Sequence, residues 1–179
     1  MQATLFQHVD VNKFEHHRVR GLSLTRPWEF AFLNQPVDQS RPPKRLENRS
    51  FRPPAHATFN QIILLHAAQS WDEGDREEIA GRTGLHVPPK HDTAHSYFYA
   101  ACRLAGFVKS TSDPRFQRDE WRGQEIWFRG EYAWLIQNFV PLIERVECKG
   151  ALGLWQIGHA QFVQLRDVYA RSVECLNGN

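Results

Sequence analysis

A short run that is apolar at almost every position constrains the fold of this chain more than any other feature. The run is QIILLHA at residues 61–67. Successive side chains of a strand point to opposite faces, so a continuous apolar run is typical of a strand that is covered on both. Residues 61–67 therefore predict a central strand that is buried on both sides.

Composition is compatible with one domain around such a strand and excludes several classes of protein. The chain has 179 residues, of which 41% are hydrophobic and 23% charged, so it can bury a core. No apolar run approaches the roughly 18–20 residues of a membrane helix, and the polar first 20 residues do not resemble a signal peptide. The three cysteines (Cys102, Cys148 and Cys175) are widely spaced and form no CxxC pair, which argues against a disulfide framework. We expect a soluble cytoplasmic protein without a membrane partner.

The sequence shows no internal repeat and no low-complexity linker. We interpret residues 1–18 as a polar N-terminal arm and 19–179 as a single domain. The predicted elements are strands over 19–24, 45–51, 61–67, 97–108, 132–139 and 142–148, a glycine-punctuated strand or bend over 150–157, and helices that begin near Pro27, Ser70 and Gly158. Several strands with a few short helices in a chain of this size predict an α+β fold, built as a small β-barrel.

The near-neutral charge of the chain hides two opposed patches. The 22 Lys and Arg exceed the 20 Asp and Glu by only two, which argues against a protein that coats nucleic acid. Yet residues 41–52 carry five basic side chains and one acidic, whereas residues 72–78 carry five acidic and one basic. The patches are either two solvated faces or, for the basic one, a compact cationic cleft.

The alternation of side chains along a strand makes the second interpretation, a cationic cleft, more specific. If residues 45–51 are extended, Arg45, Glu47 and Arg49 point to one face. Glu47 would then hold two guanidinium groups in place, either as an edge-strand salt-bridge ladder or as a site for a phosphate or a base edge. Lys44 joins this group only if the chain bends after Pro42 and Pro43.

Four motifs in this order resemble the ASCH domain family of the PUA-like superfamily: LSLTRPW at 22–28, the Lys-x-x-Glu-x-Arg pattern of Lys44, Glu47 and Arg49, ILLHA at 63–67, and KGALGLW at 149–155. Together they span roughly residues 22–157. The resemblance implies a small PUA-like barrel with a ligand cleft between the first helix and the barrel. It also implies Lys44, Glu47 and Arg49 as site residues.

Two functions follow from the resemblance and the local charge. The first is binding of RNA or of a modified nucleotide, with Lys44, Arg45 and Arg49 on phosphate or base edges and Glu47 orienting them. The alternative is a hydrolase that acts on an acylated nucleoside, such as a modified cytidine, or on RNA phosphodiesters. There Lys44 and Glu47 are the candidate catalytic residues, and the acidic partner is open among Asp119, Glu120 and Glu125. Whether the protein is an enzyme is left open.

Aromatic side chains are the second ingredient of a site for unpaired bases, because a base gains about 1–3 kcal/mol by stacking on a π-face. Trp28, at the start of the first helix, is the best candidate, with a place in the core as the alternative. Trp121 and Trp127 lie among arginines in the charged segment 113–131. We expect Trp134 and Trp155 to be core residues.

Other chemistry has little support in the sequence. His86, His91, His95 and Asp92 do not have the spacing of a familiar zinc site. The chain has no phosphate-binding glycine loop, dinucleotide fingerprint or serine-triad signature. We therefore predict no metal and no cofactor, and the oligomeric state is left open.

Overall fold

A computed structural model of the chain describes residues 14–55 and 61–178. Its helices and strands are β1 (Val19–Arg26), α1 (Trp28–Leu33), β2 (Leu46–Arg49), β3 (Ile62–Trp71), α2 (Glu73–Thr83), β4 (Tyr97–Val108), β5 (Tyr132–Glu147), β6 (Leu154–Gln156) and α3 (His159–Asn177). Short 3-10 turns occupy parts of the connections. None of the helices in these residues is long and apolar enough to cross a membrane.

The strands form one sheet in the order β2-β5-β4-β3-β1-β6. β1 and β3 run parallel, and the other neighbouring pairs run antiparallel. The sheet curls strongly, which brings Arg49 on the edge strand β2 close enough to donate from Nη2 to the carbonyl oxygen of Ser23 on β1 over 3.2 Å. This curled half-barrel with three helices confirms the predicted α+β small-barrel fold.

The central strand is buried on both sides, as the apolar run predicted. Ile62 and Leu64 pack in a cluster with α3, on the outer side of the curl. Ile63 and Leu65 point to the inner side, where they pack with Phe32 of α1. The helix α3 uses the predicted face, with Phe162, Leu165 and Tyr169 buried.

The predicted N-terminal arm lies mostly outside the described residues, which exclude 1–13. Phe14 is 3% exposed and stacks on the rings of Phe162 and Tyr169, with centroid distances of 5.6 and 4.9 Å. The described end of the arm therefore packs onto α3.

A third buried cluster closes the open end of the curl. It joins α1 and α2 to the segment 113–131, through Trp28, Ile79, Phe116, Trp121 and Trp127. The charged segment that interrupts the strands of the second half thus carries an apolar side that packs on α1. Trp121 and Trp127 are core residues, 3% and 2% exposed.

Several boundaries differ from the prediction: β1 and β3 extend further, to Arg26 and Trp71, β2 is shorter, and two other differences have a clear physical cause. The strands predicted over 132–139 and 142–148 are the single strand β5, which runs through Pro141. Proline is tolerated there because β2 pairs only with Tyr132–Leu135, so β5 has an open side at Pro141. The helix cap predicted at Ser70 is Asp72, whose carboxylate accepts from the backbone N–H of Asp75 over 3.1 Å, because β3 continues to Trp71.

Candidate functional site

Glu47 on β2 holds two cations, one on each carboxylate oxygen. Lys44 Nζ lies 3.2 Å from Oε2, and Arg49 Nε lies 3.2 Å from Oε1. The bend that Lys44 required is present, since its backbone N–H donates to the Ala31 carbonyl of α1 over 2.9 Å. The structure therefore brings the three signature residues together. We name Lys44, Glu47 and Arg49 the signature cluster.

The signature cluster is an interior feature rather than a surface patch. Lys44 is 1% exposed, and its ammonium group lies 4.8 Å from the ring centre of Trp28 and 4.5 Å from that of Phe32. Burial lowers the pKa of Lys44, because it removes water from the charged form and outweighs the attraction of Glu47. The neighbouring charges of Arg129 and Arg49 lower this pKa further, but by less.

Arg45 does not join the cluster, and its predicted place beside Glu47 is wrong. Its guanidinium carbon lies 4.0 Å from the ring centre of Phe139, and Nη1 donates to the Phe32 carbonyl over 2.8 Å. The reason is that β2 begins only at Leu46, so the alternation of the strand does not extend back to Arg45. Burial lowers the pKa of Arg45 to about 10.

Trp28 packs against the Lys44 ammonium group of the cluster. Its indole Nε1–H donates to the Asp75 carboxylate over 2.6 Å, and the guanidinium of Arg129 lies 4.5 Å from its ring centre. Only 5% of Trp28 is exposed, so it offers no free face to a base in this conformation. Trp134 is also buried, whereas Trp155 is partly buried against the core.

Arg129 joins the basic and the acidic patch that the sequence showed separately. It forms ion pairs with Asp75 (2.9 Å) and Glu78 (2.7 Å) of α2. Arg129 also lies over the ring of Trp28. Arg129 and Trp28 therefore connect the acidic helix to the signature cluster.

Sequence reasoning missed two buried polar side chains near the cluster, Glu29 and Tyr99. Burial raises the pKa of Glu29 to about 7, so this carboxyl is half protonated near neutral pH. Burial also raises the pKa of Tyr99, and the charges of Glu29 and Glu47 raise it further. Glu29 Oε2 and the Tyr99 hydroxyl are both buried without a hydrogen-bond partner among the described residues. The sequence held one signal, because Glu29 is the only ionisable residue in the apolar helix WEFAFL.

The acidic residues considered as a catalytic partner lie elsewhere. Asp119 is exposed and pairs with Arg122 over 2.7 Å. Glu120 is exposed as well, and Glu125 is partly buried, with one carboxylate oxygen lacking a partner. Glu29 is therefore the acidic group, besides Glu47, that the fold brings towards Tyr99.

Exposed groups continue from the signature cluster along the chain. The side chain of Arg49 is 22% exposed. Phe51 is 49% exposed, with its ring set edge-on to Trp134 at a centroid distance of 5.7 Å. Arg52 is exposed and lines an open cavity of about 770 Å³ together with Phe107 and Arg115. An accessible aromatic ring thus lies between two arginines in sequence.

The histidine group that the sequence analysis weighed as a metal site does not form one. His91 lies 3.6 Å from the carboxylate of Asp92, and His95 Nδ1 lies 3.0 Å from the Ser96 hydroxyl. Over residues 14–55 and 61–178, no three His, Cys, Asp or Glu side chains are grouped so that they could hold a metal ion.

Comparison with known proteins gives a structural likeness. No family model matches the chain, and none of the curated proteins does. A crystal structure of a mutant of ZmASCH, from Zymomonas mobilis, covers 85% of this chain and 96% of its own, with a TM-score of 0.43 and 11% identity. At this TM-score and identity the likeness gives no residue of this chain a role.

Proposed function

We propose that this protein binds a nucleotide unit, free or within single-stranded RNA, beside the signature cluster. The observation that carries the proposal is the ion cluster itself. Lys44 Nζ donates to the Glu47 carboxylate, and Arg49 Nε lies 3.2 Å from it without a hydrogen bond. These side chains are ordered during folding, so a phosphate or a base edge meets cations that are already in place. Arg49 is the member of the cluster that a ligand can reach first, because its side chain is 22% exposed.

Phe51 supplies the stacking surface in this proposal, in place of Trp28. Single-stranded nucleic acids bind where a π-face lies next to cationic groups. Phe51 exposes half of its surface between Arg49 and Arg52, and its edge contact with Trp134 fixes the orientation of its ring. Trp28 and Lys44 then act indirectly, by holding Glu47 and through it Arg49.

The unpartnered polar atoms under α1 support a ligand that carries hydrogen-bonding groups. A buried polar group without a partner costs about 1–3 kcal/mol, so such groups are rare in folded proteins. Glu29 Oε2 and the Tyr99 hydroxyl are two of them. The heteroatoms of a nucleobase have donors and acceptors of the kind that these atoms lack.

The experiment titrates the protein into fluorescent single-stranded RNA at several salt concentrations. Single-stranded DNA and RNA and DNA duplexes are titrated in the same way for comparison. Arg49→Ala is expected to weaken binding about tenfold, and to reduce the slope of log affinity against log salt by about 0.7 if Arg49 contacts one phosphate. Phe51→Ala is expected to weaken binding by a similar factor, since stacking contributes about 1–3 kcal/mol per base, but to leave the salt slope unchanged.

Arg166→Ala is the matched control, because Arg166 is an exposed arginine on α3. It is expected to bind as the unmodified protein does. The proposal fails if neither free nucleotides nor any oligonucleotide binds at low salt, or if Arg49→Ala and Arg166→Ala reduce binding equally.

The directions of two pKa shifts favour the hydrolase as a second candidate. The pKa of Lys44 is lowered by burial, and that of Glu29 is raised to about 7. A lowered pKa favours the basic form of an amine and a raised pKa favours the acidic form of a carboxyl, which are the forms that general acid–base hydrolysis uses. Incubation with N-acetylated cytidine, and separately with RNA, tests this function. Turnover should be lost in Lys44→Ala, and turnover that persists in a folded Lys44→Ala removes Lys44 from the mechanism.

A further inference from the structure

Ser23 and His66 form a hydrogen-bonded pair on neighbouring strands, and the proposed function uses neither side chain, although Arg49 donates to the backbone carbonyl of Ser23. They are register partners of the parallel strands β1 and β3. Ser23 Oγ lies 3.2 Å from His66 Nδ1, and His66 Nε2 lies 2.8 Å from the carbonyl oxygen of Cys148. His66 is 1% exposed, whereas Ser23 is partly exposed.

The contacts determine which atom carries each proton. A carbonyl oxygen only accepts, so His66 Nε2 must hold the ring hydrogen. Burial lowers the pKa of His66 and so favours the neutral ring, although the Cys148 carbonyl opposes this. Nδ1 of the neutral ring is then an acceptor, and the Ser23 hydroxyl donates to it. This is the arrangement of a nucleophile and its general base, with a backbone carbonyl orienting the base.

Space for a ligand lies next to this pair. A pocket of about 250 Å³ is lined by Ser23, His66, Gln69, Ser96, Lys149 and Gly150, among others. A Cβ atom at Gly150 would lie 2.6 Å from Ser23 Oγ and 2.7 Å from His66 Nδ1. Only glycine therefore fits at position 150, where the backbone packs directly against the pair.

A hydrogen-bond donor also points at the nucleophile. The indole Nε1–H of Trp155 lies 3.3 Å from Ser23 Oγ. This contact and the hydrogen bond to His66 together fix the position of Ser23 Oγ. The Trp155 ring lies edge-on to His66, with centroids 5.8 Å apart, which fixes both rings.

We propose that Ser23 is a nucleophile activated by His66, and that the adjoining pocket takes a small acyl ester. Ser23 Oγ bonds to the acyl carbon while its proton passes to His66 Nδ1. The ester C–O bond then breaks, and the leaving alcohol takes that proton. Water, deprotonated by the same nitrogen, attacks the acyl-serine, which releases the carboxylic acid and returns the proton to Ser23. The inference is independent of nucleotide binding at the signature cluster.

The chain contains a matched control for this pair. Ser96 lines the same pocket, and its hydroxyl lies 3.0 Å from His95 Nδ1. His95 is exposed, however, and Ser96 is its immediate neighbour in sequence. Comparing the reactivity of the two serines shows whether activation requires an oriented, buried base or only a nearby histidine.

The experiment treats the full chain with a fluorophosphonate probe, in which Ser23 Oγ displaces fluoride and the hydroxyl proton leaves as HF. p-Nitrophenyl acetate, followed as phenolate release, is the ester substrate. We expect phosphonylation at Ser23 rather than Ser96, read by peptide mass spectrometry, and ester turnover that Ser23→Ala abolishes. His66→Gln can still donate to the Cys148 carbonyl but cannot take the proton, so it should slow both reactions about 100-fold. Ser112→Ala, at an exposed serine that does not line the pocket, should change them less than twofold.

The site of labelling in the unmodified protein decides the proposal without any variant having to fold. The proposal is overturned if the probe leaves Ser23 unmodified, or modifies Ser96 equally. It is also overturned if Ser23→Ala or His66→Gln, with an unchanged unfolding midpoint, hydrolyses the ester as fast as the unmodified protein. Loss of labelling in Ser23→Ala together with unchanged RNA binding would show that the two sites are separate.

Discussion

The basic segment 41–52 and the acidic segment 72–78, at the start of α2, have equal and opposite charge, yet the fold buries them differently. Lys44 and Glu47 of the basic segment are buried, at 1% and 9% exposure. On α2, Glu73 and Glu77 are exposed, and Glu73 is 56% exposed where it pairs with Arg76, whereas Asp75 and Glu78 are partly buried against Arg129. Charge counts along a sequence therefore do not indicate electrostatic energy, because the dielectric environment of each group decides it.

The comparison also explains why the two regions should respond differently to substitution. A buried ion pair that loses one member leaves an unpaired charge away from water, whereas an exposed pair loses little. The predictions below test this difference in order of decreasing effect.

The largest effect is expected from Glu47→Ala. It leaves the Lys44 ammonium without its carboxylate under Trp28 and Phe32, and should lower the free energy of unfolding by about 3–5 kcal/mol. Urea denaturation at pH 7 measures this change. The double variant Lys44→Met/Glu47→Leu should recover most of the loss, because it removes both charges. A loss below about 1 kcal/mol in Glu47→Ala would mean that the cluster is hydrated in solution.

Glu29→Gln should have a pH-dependent effect. The pKa of Glu29 is about 7 in the folded protein and 4.5 as its ordinary value, so the folded state binds more protons between these values. Glu29 therefore destabilises the fold progressively as pH rises from about 4.5 to 7. At pH 8, Glu29→Gln should be more stable than the unmodified protein by up to about 3 kcal/mol. The gain should vanish near pH 4.5, and a gain that is the same at both pH values would contradict the assignment.

Arg129→Ala tests the contact between the two regions. It removes ion pairs with Asp75 and Glu78, whose side chains are 12% and 25% exposed, and the cation over Trp28. Because the Arg129 side chain is itself 41% exposed, we expect a loss of only about 1 kcal/mol, reduced in high salt. Thermal unfolding at low and high salt measures it. A loss as large as that of Glu47→Ala would place Arg129 in the buried cluster.

The smallest effect is expected from Glu77→Ala on the exposed side of α2. Glu77 is exposed, and surface substitutions of this kind change stability by less than about 0.5 kcal/mol. The same urea denaturation serves as the measurement. A larger change would show that α2 carries more of the electrostatic stability than its exposure indicates.

Several features of the fold followed from local patterns. The run at 61–67 predicted a strand buried on both sides, and β3 is one. The boundaries of β4 and the buried face of α3 were also predicted correctly, since both depend on residues close in sequence. The placement of Arg45 was wrong, because strand alternation was extended one residue beyond the start of β2.

The candidate sites depended on contacts that no local pattern reveals. Lys44, Glu47 and Arg49 were grouped from a motif, but the burial of Lys44 under α1 was not. The Ser23–His66 pair joins residues 43 positions apart. Glu29 and Tyr99 interact electrostatically only because the fold buries both in its interior.

The sequence by itself determined the α+β composition of the chain, its central strand and the membership of the signature cluster. These depend on residue periodicity and on short-range geometry, which act within a few residues. Only the tertiary structure decided that Lys44 and Glu47 of the basic segment are buried while Glu73 and Glu77 of the acidic helix are exposed. The physical reason is that the curl of the sheet brings β2 back towards β1, where Arg49 reaches the Ser23 carbonyl and α1 covers Lys44.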